Sequence, residues 1–526
     1  MPKAFSDLFK HLKYDLPAGL VVYLVALPLC LGVALASTND PELMFSGIIA
    51  GFVGGIVVAM LSGSALGVSG PAAGLVVIVL TALEKLGSFE AFLLAVVLAG
   101  ALQFIAGFLK AGVIGYYFPS SVIKGMLAAI GLILIMKEIP HALGYDEDFI
   151  GSMTYRQSDG HNTITELFYA FKFSSMGAII ISVVSLALLV LFDRPFMQRI
   201  TMFRFLPGAL FVVVIGTLVN LAFASFAPDL YMTGKHLVQL PVADSPSAFI
   251  SFFRMPDFSA FTNPQVYVVA ATLAVVASLE TLLSVEATDK LDPQKRITDT
   301  DRELKAQGVG NMVAGLIGGL PVTQVIVRSS ANINSGGRTK TSAIFHGFLL
   351  LSSAILIPAL LNYIPLAALA CILLMVGYKL SKFSLYKQMY KLGWEQFLPF
   401  VVTVVAILFT DLLKGIGIGM LVAFYFVLLK NMQHSYHRHT ERNEEGDEVI
   451  VLTLSEEVTF LNKGSIQKTL RMLPEGSNVV IDGSNSVHIN YDVLEAIQNF
   501  IDHTAGPMNI TVKTIDIDAV KSQSAH

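Results

Sequence analysis

Fourteen apolar runs follow one another between residues 17 and 430. No other feature limits the fold so strongly. In lipid every backbone N–H and C=O must be satisfied inside the segment, so a chain of such runs spans as helices. The runs fall at 17–37, 43–62, 66–83, 90–109, 118–137, 174–192, 205–224, 264–285, 306–319, 322–334, 341–361, 365–379, 396–411 and 414–430. Composition agrees: 14% of residues are charged and mean hydropathy is +0.67, against about 25% charged in soluble domains. A net charge of −4 argues against nucleic acid as a partner. The two cysteines, Cys30 and Cys371, lie inside apolar runs and build neither a disulfide framework nor a zinc site. The leader MPKAFSDLFKHLKYDLP reads as a basic amphipathic segment rather than a cleavable signal. No HExxH, no GxSxG in the apolar part and no nucleotide-binding loop occurs, so the chain does not read as an enzyme.

With the N-terminus placed in the cytoplasm, 19 of the Lys and Arg residues between the runs fall inside and 7 outside. That asymmetry predicts an even number of spans and cytoplasmic termini. The expected organisation is a cytoplasmic segment 1–13, a transmembrane domain 14–430, a linker 431–444 and a cytoplasmic domain 445–526. The last reads as a small α/β unit. VIVLTLSEEVTF, NVVIDGSN and NITVKTIDI have strand character; GSIQKTLRML and YDVLEAIQNFIDHT have helical apolar spacing.

Of the ionisable residues within the apolar runs, two matter most, Glu280 in the eighth and Arg328 in the tenth. A charge at mid-membrane costs roughly 2.5–3.5 kcal/mol on insertion scales, so such residues face a partner or a wet cavity; the two can also pair with each other. The third and tenth runs are short, and each follows a Gly-rich approach to a proline, GVSGPAAGLVV and GGLPVTQVIVR. Helices that begin mid-membrane aim free N–H groups and a positive dipole end inward. Two facing starts make an anion site. Gly70 and Pro71 mark one start, with Ala72 and Ala73 presenting N–H groups. Val322 and Thr323, after Leu320 and Pro321, do so at the other, and Arg328 adds a full charge within two turns. The mirrored placement is that of an inverted repeat. Ser284 lies one turn after Glu280 on the same face. Together they can hold a sodium ion, or the carboxylate can carry a proton. His346 reads as structural, and His434, His437 and His439 as solvated linker residues.

The stretch SLETLLSVEATDKLDP followed by DRELKAQGVGNMVAGLIGGLPVTQVIVRSSANINSGGRTK, with VSGPAAGL and ALPLCLGVALAS earlier, resembles the SulP sulfate-permease family, the bacterial branch of solute carrier family 26. The tail resembles that family's STAS domain. The resemblance implies an all-α membrane domain of fourteen segments in two inverted seven-segment repeats, split into core and gate, plus a small α/β STAS-like domain. It also implies a homodimer, with the substrate anion held between the third and tenth half-helices. It places Arg328 at the family's basic position and Glu280 at the carboxylate position tied to the driving ion. Leu29 after Pro28 departs from the common sulfate-permease form, which has glutamine. ALPL looks more like the sodium-dependent bicarbonate permeases, which carry aspartate where this chain has Glu280. In the tail, Asn490, Tyr491, Asp492 and Val493 replace the usual phosphorylation motif. The expected function is secondary active transport of a small inorganic anion across the cell membrane, bicarbonate before sulfate, coupled to sodium or protons. The alternatives are a dicarboxylate transporter and a passive anion channel. No cofactor is expected beyond a sodium ion at Glu280 and Ser284.

Overall fold

In this computed structural model each expected apolar run contains a helix. The structure describes residues 11–38, 40–147, 162–194, 197, 207–242, 246–433, 436–442 and 448–517. Residues 1–10, Arg156, Arg199, Arg204, His434 and 518–526, which figured in the topology and linker expectations, lie outside them. The chain divides into two units, Met1–Met420 and Leu421–His526.

The first unit begins with α1 (Leu12–Thr38) and α2 (Pro41–Leu61), then a short strand β1 (Ser69–Pro71) leading into α3 (Val76–Leu86). It continues through α4 (Phe89–Phe108), α5 (Ser120–Leu143), α6 (Thr163–Lys172), α7 (Met176–Phe192) and α8 (Gly208–Phe226). Then come α9 (Pro264–Leu291), α10 (Thr300–Ile317), a second strand β2 (Val322–Gln324) and α11 (Ile326–Asn334). α12 (Thr341–Leu356), α13 (Leu366–Leu380), α14 (Phe383–Lys391), α15 (Trp394–Phe409) and α16 (Leu412–Gln433) complete the helices of the apolar part. Among the described residues seven helices are long and apolar enough to cross a membrane, and nine if two bent pairs each count as one span.

Glycine sets how closely several of these helices approach. A Cβ at Gly100 of α4 would lie 2.6 Å from the Gly308 carbonyl of α10, and one at Gly308 would lie 2.7 Å from the Gly100 carbonyl. Gly131 of α5 and Gly377 of α13 are matched in the same way, at 2.6 and 2.7 Å. Lipid offers no hydrophobic drive between helices, so close backbone packing at small residues supplies the attraction.

Three boundaries differ from the sequence expectation. α5 runs on to Leu143, six residues past the expected end of the run at Lys137 and through Glu138. Lys137 is buried and meets the buried Glu166 of α6 at 3.5 Å, so pairing lets the helix continue. α10 starts at Thr300, six residues before the expected run, because its first turns bury polar side chains against protein. Residues 436–442, expected as linker, form β3 (Tyr436–Arg442). Its polar sequence concealed an edge strand that pairs on one side only.

The second unit carries a four-stranded sheet in the order β3, β4 (Glu448–Leu454), β6 (Asn478–Asp482), β8 (Thr511–Ile515). β3 and β4 pair antiparallel, and the other neighbours are parallel. Between the chain's parallel strands lie α17 (Lys463–Arg471) and α18 (Tyr491–Phe500). A minor pair joins β5 (Glu457–Val458) to β7 (His488–Ile489). Leu452, Val458, Val479, Ile481 and Val493 sit in one apolar core. A unit with its own core folds alone. The fragment 436–526 is expected to unfold cooperatively when expressed by itself. Val493→Asp, which buries a charge at a cost of about 3–5 kcal/mol, should remove a large share of a total near 4–12 kcal/mol. Thermal circular dichroism checks both.

Candidate functional site

β1 and β2 lie immediately before two half-length helices and pair antiparallel with each other, Gly70 opposite Thr323 and Pro71 opposite Val322. The crossing is held from one side by α10. Asn311 accepts from Val322 N–H at 2.6 Å and donates to its carbonyl at 2.9 Å and to Gln103 at 2.7 Å. One turn earlier Gln307 donates to Ser69 at 2.7 Å and to Glu303 at 3.0 Å, and Glu303 accepts from Ser62 at 2.5 Å. From α9, Thr281 and Thr288 hold the backbone and side chain of Gln324 at 3.4 and 3.0 Å. Buried polar groups cost free energy unless bonded, so these mutually bonded side chains fix the crossing in one place.

The strands shift the helix starts from where proline had placed them, by one residue on the β1 side, from Ala72 to Ala73, and by four on the β2 side, from Val322 to Ile326. α11 begins at Ile326 after Val325, and no side chain caps it. α3 begins with a 3₁₀ turn at Ala73–Leu75, also without a capping side chain. The first N–H groups of a helix have no intrahelical acceptor. Those nearest the cavity belong to Ala73 and Gly74 on one side and Ile326 and Val327 on the other. Val322 and Thr323, expected to present such groups, lie within β2; Val322 gives its N–H to Asn311. Gly70, Pro71 and Ala72 are buried at the crossing, while Ala73 reaches the cavity.

That cavity has a volume of about 720 Å³ and is lined by both helix starts, by Glu280 and Ser284, and by parts of α5 and the α15–α16 turn. Glu280 is 7% exposed. Its Oε1 lies 2.8 Å from where a Cβ on Gly74 would stand, and its Oε2 has no hydrogen-bond partner among the described residues. Only glycine at position 74 lets the carboxylate rest against the start of α3.

Arg328 takes the opposite side of the crossing. It is 1% exposed and does not line the cavity. Its guanidinium lies over Gly70, where a Cβ would stand 2.0 Å from Nη1. Nη2 reaches the Pro71 carbonyl at a long 3.5 Å; Nε and Nη1 have no partner among the described residues. Arginine stays protonated in proteins. Arg328 is also the third residue of α11, where a helix carries about half a positive charge. Among the described residues it pairs with neither Glu280 nor any other carboxylate. Two helix starts and one arginine sum to roughly +2, against one carboxylate. The balance calls for an anion.

Sequence reasoning singled out Glu280, Ser284, Arg328, Gly70 and Ala73, but not the polar stripe Glu303, Gln307 and Asn311. These recur every four residues, the spacing of one helix face, and the stripe was legible had the helix been started at Thr300. His346 turns Nδ1 to the Ala343 carbonyl at 2.7 Å and is buried. His437 and His439 belong to β3.

A family model described as the sulfate permease family matches residues 12–406. The chain is 28% identical over 444 residues to "Putative sulfate transporter YvdB" of Bacillus subtilis (strain 168), spanning 83% of this chain and 78% of that one. It is 26% identical over 466 residues to the bicarbonate transporter BicA of Picosynechococcus sp., spanning 87% and 77%. The solved structure of murine solute carrier 26 family member A9, an anion transporter in the inward-facing state, aligns with a TM-score of 0.68 at 15% identity, covering 98% of this chain and 88% of that one. The transmembrane domain of a cyanobacterium bicarbonate transporter BicA aligns with a TM-score of 0.55 at 23% identity, covering 78% and 98%. These two likenesses concern the fold.

The geometry yields paired expectations. Gly70→Ala displaces the Arg328 guanidinium and should weaken anion binding at least tenfold, as should Arg328→Ala. Gly74→Ala pushes on the Glu280 carboxylate instead and should alter the cation or pH dependence of binding more than affinity at saturating cation. Anion titration of the purified variants, with and without sodium and at two pH values, checks all three.

Proposed function

The chain belongs to the sulfate permease family, and we propose that it is a secondary active transporter of a small inorganic anion, bicarbonate before sulfate, coupled to sodium or protons. One observation carries the reading: Arg328 is buried at the start of α11 with no carboxylate partner among the described residues. Removing an ion from water costs several kcal/mol, and a positive helix end adds to that cost. A small anion between the two helix starts offsets both. Relatives named as sulfate and bicarbonate transporters support the substrate class. The ALPL form of the first helix favours bicarbonate.

Coupling follows from Glu280. Its carboxylate lines the cavity that both helix starts reach, so an anion bound at those starts would meet it, and like charges at close range repel. A proton on Glu280, or a sodium ion held by Glu280 and Ser284, removes the repulsion. Anion and cation then bind together and cross together. A passive channel gains nothing from a carboxylate in its anion site. In this reading the antiparallel β1–β2 pair marks the axis of two inverted seven-segment repeats. The fourteen segments divide into core and gate, and the protein works as a homodimer in the cell membrane. Both termini are cytoplasmic, and the second unit is a STAS-like domain.

Glu280→Gln keeps size and hydrogen bonding but fixes a neutral side chain. The variant should bind anion yet fail to concentrate it. With proton coupling, anion counterflow survives, because the variant mimics the protonated form. With sodium coupling, counterflow fails as well. Proteoliposome uptake of labelled bicarbonate, sulfate and succinate, with and without sodium and pH gradients, separates these outcomes. Accumulation by the variant equal to that of the parent protein would remove Glu280 from coupling.

A further inference from the structure

The cavity is far larger than a small oxyanion needs. At about 720 Å³ it falls within the range of sites for organic ligands, about 300–1,000 Å³. Glu280 and Ser284 line it together with the two uncapped helix starts, and Thr410, Asp411 and Lys414 line it at the α15–α16 turn. The remaining wall is hydrocarbon. Ile78 of α3, Ile130 and Ile133 of α5, and Ile407 and Phe409 of α15 supply most of it. The other charges on the lining, Asp411 and Lys414, pair with each other at 2.8 Å at the α15–α16 turn, so they offer the anion no free cation.

This division matters for selectivity. Sulfate presents oxygen in every direction, so on this wall part of its surface loses water without gaining a donor, which costs free energy. A carboxylate has oxygens on one side only and can turn the other side to the isoleucines. Resting on the anion-site reading above, we propose that the cavity takes monocarboxylates carrying a short aliphatic chain. The carboxylate lies at the starts of α3 and α11, and the chain lies along Ile130, Ile133 and Ile407.

The test is a competition series on the purified full-length protein, using formate, acetate, propionate, butyrate and hexanoate against labelled bicarbonate, with sulfate alongside. Each added methylene that reaches the wall should tighten binding about two- to fourfold, and butyrate should bind more tightly than sulfate. Ile133→Ser should weaken hexanoate more than formate and so flatten the series. The wild-type series decides the matter by itself should that variant not fold. If formate and bicarbonate bind while affinity stays flat or falls with chain length, this inference is overturned and the anion site stands. If none of the anions binds, the anion-site reading falls and takes this one with it.

Discussion

A buried arginine with no carboxylate partner among the described residues governs this structure. Arg328 lies at the positive end of a helix, 1% exposed, with two of its nitrogens lacking a partner among the described residues. Neither burial nor the helix dipole favours a cation there. The arrangement persists because the surrounding protein leaves no alternative. Asn311, Gln307 and Glu303 of α10 and Thr281 and Thr288 of α9 hold the strand crossing by hydrogen bonds. The crossing in turn fixes where both half-helices begin. A net positive charge is thus fixed in place by the fold, and a preorganised polar site does not have to reorganise to bind its ligand.

Two glycines partition the charge. Gly70 admits the guanidinium and Gly74 admits the carboxylate, on either side of the same short strand and turn. Among the described residues the opposite charges do not join in an ion pair. Had they paired, each would have satisfied the other and the site would be a structural salt bridge. Held apart, in the proposed reading, Arg328 is balanced by the anion and Glu280 by a proton or cation once that anion is present. In the proposed transport cycle this separation is what couples the two ions: each half of the site binds its own ion more readily when the other half is filled.

Much of this was legible in the sequence. The number and length of apolar runs gave the helices, since hydrocarbon leaves the backbone few choices. Glu280 and Arg328 stood out because charges are rare in such runs. The Gly-Pro approaches marked both half-helices, although β1 and β2 moved the actual starts from Val322 and Thr323 to Ile326 and Val327. That shift was hidden because a three-residue strand has no periodicity to read, and its pairing partner lies about 250 residues away. The α10 stripe and the Lys137–Glu166 pair were missed for a related reason. A polar or charged residue reads as loop until the partner that permits its burial is known. The aliphatic wall was invisible too, because Ile130, Ile133 and Ile407 come from helices whose apolar faces look alike in one dimension.

The central claim is that anion and cation occupy the site together, because Arg328 and Glu280 are kept apart. The direct measurement is the anion dissociation constant of the purified protein across a hundredfold range of sodium and across two pH units. Linkage predicts that affinity rises up to about tenfold for each tenfold increase in the coupling ion, sodium or proton, while the partner site is unsaturated. A dissociation constant that does not move with either ion would contradict the account.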